Sequence, residues 1–214
     1  MSSGPTPETP YDPAAGAVPE APASELDEVE PDPDESDVDE DPGQVALIAA
    51  LLELERHVRE AGWDQPARLF ALVLTDELVA SEPQLAVSLG LRSSADGGPV
   101  AGLTAIEQDE FVSSGDLLDD LAAVEWPDTV FGCAVAVERT FLPPAAEKDI
   151  PDDPAAAVDF VASHPQRQDV RVLVGVDRSG HRHGVARLVS EPDELLAADN
   201  LVPGLISALA HTLT

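Results

Sequence analysis

The sequence predicts an α+β fold, with an antiparallel or mixed sheet of about four to five strands packed with helices and flanked by N- and C-terminal ones. Three observations carry that expectation. A capped amphipathic helix follows Asp41, a long apolar run spans Val130 to Phe141, and two β-rich runs flank a short Asp/Ser/Gly turn late in the chain.

In chain order, residues 1–43 come first and read differently from the rest. They hold fourteen of the 42 acids, nine of the 20 prolines and no Lys or Arg. The few apolar side chains in this segment cannot offset the entropy lost on ordering, so a disordered, self-repelling acidic tail is expected. Residues 44–214 are expected to form a single α+β domain. With 171 residues this part is long enough to bury roughly 70% of its unfolded surface around one core.

The first helix is expected from about Pro42 to Ala61. Asp41 serves as N-cap, and Pro42 occupies the first helical position, where a missing N–H does no harm. Val45, Ile48, Leu51, Leu52, Glu55 and Val58 trace its stripe, and Gly62 supplies a left-handed stop. Trp63-Asp64-Gln65-Pro66 reads as a tight connection to Arg68–Val73, a buried strand candidate with a helix as the alternative. The stretch from Ser81 to Gly102 reads as loose and turn-rich. Thr104-Ala105-Ile106-Glu107 has the form of a capping box, with a short loop after Leu103 as the alternative. Asp116–Val124 predicts a short amphipathic helix carrying Leu117, Leu118 and Leu121 on one side.

Val130 to Phe141 predicts the long central strand, closed by Pro143-Pro144. Asp153-Pro154 repeats the cap-plus-proline device before a helix reaching Ala162. Val170–Val176 and His183–Val189, joined through Asp177-Arg178-Ser179-Gly180, form the predicted hairpin. Pro192 is expected to start a helical turn, and Val202–Leu213 the last helix. This order of elements resembles the sandwich of the secretion-chaperone-like proteins.

Charge restricts the function classes. The chain carries 42 acids against 11 bases, a net charge of −31. Taking the fourteen tail acids from the 42 leaves 28 against 11, so residues 44–214 are themselves at −17. Such a surface repels phosphate backbones and anionic lipid, and neither nucleic acid nor membrane is expected as a partner. The amino terminus lacks the basic and apolar regions of a signal peptide, and no run approaches a spanning length, so a cytoplasmic location is expected. The one cysteine, Cys133, lies in the apolar run and reads as a buried small hydrophobe.

Motifs for chemistry are sparse. Gly97-Gly98 and Gly102 do not make a phosphate loop, and Ser113-Ser114-Gly115 lacks the nucleophile-elbow frame. His181 and His183 are two apart near the hairpin turn, with His164 as a third candidate, yet neighbouring arginines oppose a bound cation. No cofactor and no metal are expected. The carboxylate pairs Asp109/Glu110, Asp119/Asp120 and Asp152/Asp153 are too common in this chain to single out an acid or base. Trp63 and Trp126 read as plugs at the edge of the core.

Arginine clustering is the most informative feature. Arg167, Arg171, Arg178, Arg182 and Arg187 fall within 21 positions. Arg167, Arg171, Arg182 and Arg187 are the candidate anion- or partner-binding residues, able to grip a carboxylate or phosphate bidentately if they converge. The alternative is pairing with the chain's own carboxylates, and the acidic tail is one candidate ligand.

Three further stretches carry a resemblance: Gly62–Val73, Val124–Ala134 and His164–Arg171, together with the closing Val202-Pro203-Gly204-Leu205. Over residues 44–214 they resemble a family of uncharacterised actinobacterial proteins, which implies a bacterial origin and supplies no activity, cofactor or site residue. The function expected is therefore that of a non-enzymatic protein-binding or adaptor module. A small hydrolase-like enzyme built on His164 or His183 and a structural homodimer stand as alternatives.

Overall fold

A computed structural model describes residues 41–214; of the expected disordered tail, residues 1–40 lie outside the described residues, while Asp41, Pro42 and Gly43 open the first helix. The described chain runs α1 (Pro42–Glu60), β1 (Arg68–Leu74), α2 (Thr75–Ser81), α3 (Pro83–Ser88), β2 (Leu103–Glu107), α4 (Leu117–Ala122), β3 (Gly132–Phe141), α5 (Pro144–Glu147), α6 (Pro154–Ser163), β4 (Gln168–Asp177), β5 (Arg182–Leu188), β6 (Glu191–Ala198) and α7 (Pro203–Thr212). The six strands form one fully antiparallel sheet in the order β2-β1-β3-β4-β5-β6. The α+β class holds, and the sheet is larger than the sequence suggested. No helix among the described residues is long and apolar enough to cross a membrane.

Both faces of the sheet are covered, which is why β3 and β4 are apolar at successive positions. On one face Leu47, Leu51, Leu54 and Val58 of α1 meet Phe70, Leu72, Ala134, Ala136, Leu173 and Val185. On the other, α4 and α7 bring Leu117, Leu121, Ile206 and Leu209 against Cys133, Val135, Val137, Val172, Val174 and Val176. Each fully buried Leu or Val contributes about 1.5–3 kcal/mol relative to exposure. Gly175 sits where Leu51 and Leu47 press closest, and an added Cβ would stand 2.9 Å from Leu51 Cδ2.

Asp41 caps α1 as expected, accepting from Gly43 N–H at 2.9 Å, and Gly62 takes φ +85° just past the helix end. The buried stripe of α1, however, is Leu47, Leu51, Leu54 and Val58, spaced i, i+4, i+7, i+11. Val45 and Leu52, placed on the stripe from sequence, are 44% and 37% exposed. Leu118 likewise turns outward, while Leu117 and Leu121 are buried.

Two expectations are corrected. Thr104–Glu107 opens no helix and belongs to the strand β2, and Pro192 starts no helical turn because it lies in β6. These two segments are the two edges of the sheet. An edge strand has only one neighbour and lacks the two-sided apolar pattern that marks a central one. The region read as loose, Ser81–Gly102, contains the end of α2, α3 and a 3-10 turn at Ser94–Asp96. Pro83 begins α3, and Asp76 on α2 accepts from both Ser94 N–H and Oγ–H, which ties the turn down.

Candidate functional site

The arginines do not converge on one exposed patch. Arg171 on β4 and Arg187 on β5 lie directly opposite one another, but both point beneath α1 and are only 1% and 7% exposed. Arg171 donates through Nε and Nη2 to Glu138 Oε1 at 3.1 and 2.7 Å, and through Nη2 to the Gly62 carbonyl. Trp63 covers its guanidinium at 4.4 Å from the ring centroid. The Glu138 carboxylate also accepts from Asp64 N–H at 2.8 Å. The α1–β1 connection is therefore folded over this pair.

Arg187 donates to Glu55 Oε1 at 2.6 Å and Glu55 Oε2 at 3.1 Å, and to the carbonyls of Pro192 and Glu194. It stands where the β5–β6 register shifts, between Ala186 and Leu188. Its grip on those carbonyls holds Pro192 in an extended strand. Arg178 clamps the carbonyls of Val130 and Leu213. Arg167 pairs with Asp169 at 2.7 Å near the start of β4. Of the four candidate residues, Arg182 is exposed and has no side-chain partner among the described residues.

The histidines are equally committed. His181 Nδ1 meets Asp177 Oδ2 at 2.7 Å and its Nε2 meets Asp41 Oδ2 at 3.0 Å. Gly43 packs under the ring, where any Cβ would collide with His181 Cε1. This contact pins the start of α1 to the β4–β5 turn. Hydrogen bonds to Asp177 and then Asp41 hold the imidazole pKa above its ordinary value despite partial burial. A raised folded-state value means the imidazolium stabilises the fold fully below the unfolded pKa near 6.5, and loses that contribution as pH rises through the folded one. The thermal midpoint of wild type should therefore exceed that of His181→Gln at pH 6, and the gap should shrink by pH 9. A pH-independent gap would show that the ring acts without its charge.

His183 Nδ1 lies 2.8 Å from Asp199 Oδ1, and Gln44 Nε2 reaches the same carboxylate at 3.2 Å. His164 ends α6 before β4, whereas His181 follows the far end of that ten-residue strand. At about 3.3 Å per residue, roughly 30 Å of β4 keeps His164 away from the other two. Among the described residues no three His, Cys, Asp or Glu side chains gather in a metal-binding cluster. Cys133 is buried between β3 and α7, and desolvation pushes its thiol pKa up to about 11, so it is no nucleophile at neutral pH.

Sequence reasoning missed a concavity beside the sheet edge. A groove of about 610 Å³ runs along β2, between α1 and the Leu89–Gly98 segment. The α1 wall is the flank Ala46, Ala49, Ala50, Glu53 and His57, whose alanines leave the space open. Phe70, Leu103 and Ala105 form an apolar floor, and Thr75 and Thr104 share a 2.9 Å hydroxyl contact beside it. At the C-terminal end of β2, Arg68 binds Glu107 and contacts His57 Nε2 at 3.0 Å. That arginine holds the Glu107 carboxyl below its usual range.

A family model matches residues 47–214, which takes in most of α1, the whole sheet and the helices of its other face. The chain belongs to the PPA1309-like protein family. The match covers the groove walls from Ala49 onward and both buried pairs beneath α1, Arg171–Glu138 and Arg187–Glu55. Asp41, Gln44 and Ala46 precede it. The family's description names no reaction, ligand or partner. No curated protein and no solved structure matches the chain.

Proposed function

We propose that this protein is a non-enzymatic binding module that engages a protein partner through the groove between α1 and β2. The observation supporting this reading is the groove itself, an apolar floor beside a sheet edge with polar groups at one end. Binding sites commonly combine those features. Arg171 and Arg187 serve the interior in this reading, and an anionic contact on the hairpin falls to Arg182. The actinobacterial origin implied by the resemblance and the cytoplasmic location expected from sequence belong to the same proposal.

The test is to fill the groove without touching the core. Ala49 is exposed on α1 and lines the wall, so Ala49→Trp should leave stability within about 1 kcal/mol of wild type. Capture of the native partner, measured by crosslinking and quantitative mass spectrometry, should fall at least tenfold. Equal capture by both proteins would remove the groove from consideration.

One observation favours a second reading, a small hydrolase-like enzyme. The Asp199 contact orients the His183 ring as a general base requires. In that case ester turnover would disappear in His183→Gln while groove filling left it unchanged.

A further inference from the structure

We infer that the occupant of the groove is an extended, lysine- or arginine-bearing segment of a partner protein that adds to β2 as a seventh strand. This rests on the binding-module reading and specifies its ligand.

The first argument is the hydrogen bonding of the edge. Bonds from Thr75 N–H to the Gly102 carbonyl and from Gln108 N–H to the Leu69 carbonyl bracket the β1–β2 ladder. In an antiparallel pair, alternate residues bond to the neighbour. Thr104 and Ile106 therefore turn their peptide groups to β1, while those of Leu103, Ala105 and Glu107 point outward. No backbone partner meets them among the described residues. A second strand along this line would satisfy them and place alternate side chains in the groove.

The second argument is the contrast between the two edges. β6 carries Glu191, Pro192, Asp193 and Glu194 and an irregular register, the usual devices that block edge pairing. β2 reads Leu-Thr-Ala-Ile-Glu, with no proline, no lysine and no register shift. One edge is protected and the other is left open beside a groove.

Charge selects the occupant. At −31, the chain repels a second copy of itself and attracts a cationic segment. Locally, Arg68 occupies Glu107, but Glu53 on the groove wall and Asp109 and Glu110 just past β2 are exposed and in no ion pair among the described residues. Arg92 also lines the groove, and its carbonyl packs against Gly98, which precedes β2 in the chain, so the acidic end is the C-terminal end of the strand.

The probes are three capped decapeptides: alternating Val and Lys, alternating Val and Glu, and the Val/Lys peptide N-methylated at every second peptide bond. Titration calorimetry uses the full chain and its Ala105→Pro variant. Proline at 105 removes an outward N–H and no ladder bond to β1, and the circular dichroism spectrum checks that it folds. The Val/Lys peptide should bind. Its affinity should fall at least tenfold with Ala105→Pro, with N-methylation, and between 0.05 and 0.5 M salt, and the Val/Glu peptide should not bind. N-methylation does not depend on the variant's folding. Equal binding of the N-methylated peptide would overturn strand addition, and equal binding of Val/Glu would overturn the cation preference. Silence from all three peptides, or a homodimer that Ala105→Pro dissociates, would overturn the inference as a whole. The wider binding-module reading would still stand or fall on Ala49→Trp.

Discussion

Arg171→Glu is expected to unfold the protein rather than disable a surface. The side chain is 1% exposed, bonded to Glu138 and to the Gly62 carbonyl, and covered by Trp63. Removing one member of a buried pair costs about 3–5 kcal/mol, because the remaining charge stays buried without compensation. Here the replacement adds a second carboxylate beside the first, so that figure is a lower bound. Against a total stability of about 5–15 kcal/mol, the folded population should collapse near room temperature or survive only marginally. Urea unfolding followed by circular dichroism reads the effect directly. Arg182→Glu, on an exposed side chain of the neighbouring strand, should shift stability by no more than about 0.5 kcal/mol. Equal midpoints for the two variants would mean that the Arg171–Glu138 pair contributes nothing to the fold.

The difference between those two arginines was partly legible in the sequence. Val170-Arg171-Val172-Leu173-Val174 is apolar on either side of its arginine at successive positions, the mark of a strand buried on both faces. An arginine inside such a run shares a face with Leu173, so it must be buried and paired. Glu55 offered the same clue, since it falls on the predicted stripe of α1, four residues after Leu51. Which acid meets which arginine depends on tertiary register, and that a list of charges does not contain. Composition alone made the cluster Arg167–Arg187 look like a surface.

What remained illegible has two physical causes. The elements read correctly (α1, β1, α4, β3, β4, β5, α6 and α7) carry caps or an opening proline, two-sided apolar runs or a hairpin turn. The misread strands, β2 and β6, are edge strands whose conformation is set by a single neighbour and, for β6, by Arg187 reaching the Pro192 and Glu194 carbonyls, while the helices α2, α3 and α5, of seven, six and four residues, are too short to show a periodicity. The groove was invisible for a related reason. Its walls come from α1, from Phe70, from the Leu89–Gly98 segment and from β2, and its defining property is the outward aim of the Leu103, Ala105 and Glu107 peptide groups. No residue type signals an unfilled hydrogen bond. The small side chains Ala46, Ala49 and Ala50 read equally well as ordinary helix formers.

Glu55→Ala is the complementary experiment, because it separates the two jobs Arg187 performs. The carboxylate is 3% exposed and takes both Nε and Nη2 of Arg187, while the remaining nitrogen holds β6 through its carbonyls. Without Glu55 the guanidinium stays buried with neutral acceptors alone, and a loss of about 3–5 kcal/mol is expected. The double variant Glu55→Leu with Arg187→Met should recover most of it, since well-packed apolar replacements of buried pairs are often neutral or stabilising by about 1–4 kcal/mol. Stability is then separable from strand order. A thioether in place of the guanidinium has no donors for the Pro192 and Glu194 carbonyls, so hydrogen exchange in β6 should accelerate in the double variant even as the midpoint returns. In Glu55→Ala, where Arg187 keeps those bonds, β6 should exchange no faster than the global opening allows. If the double variant restored both the midpoint and the protection of β6, Arg187 would be a charge partner for Glu55 and nothing more, and the extended conformation of Pro192 would need a cause outside this pair.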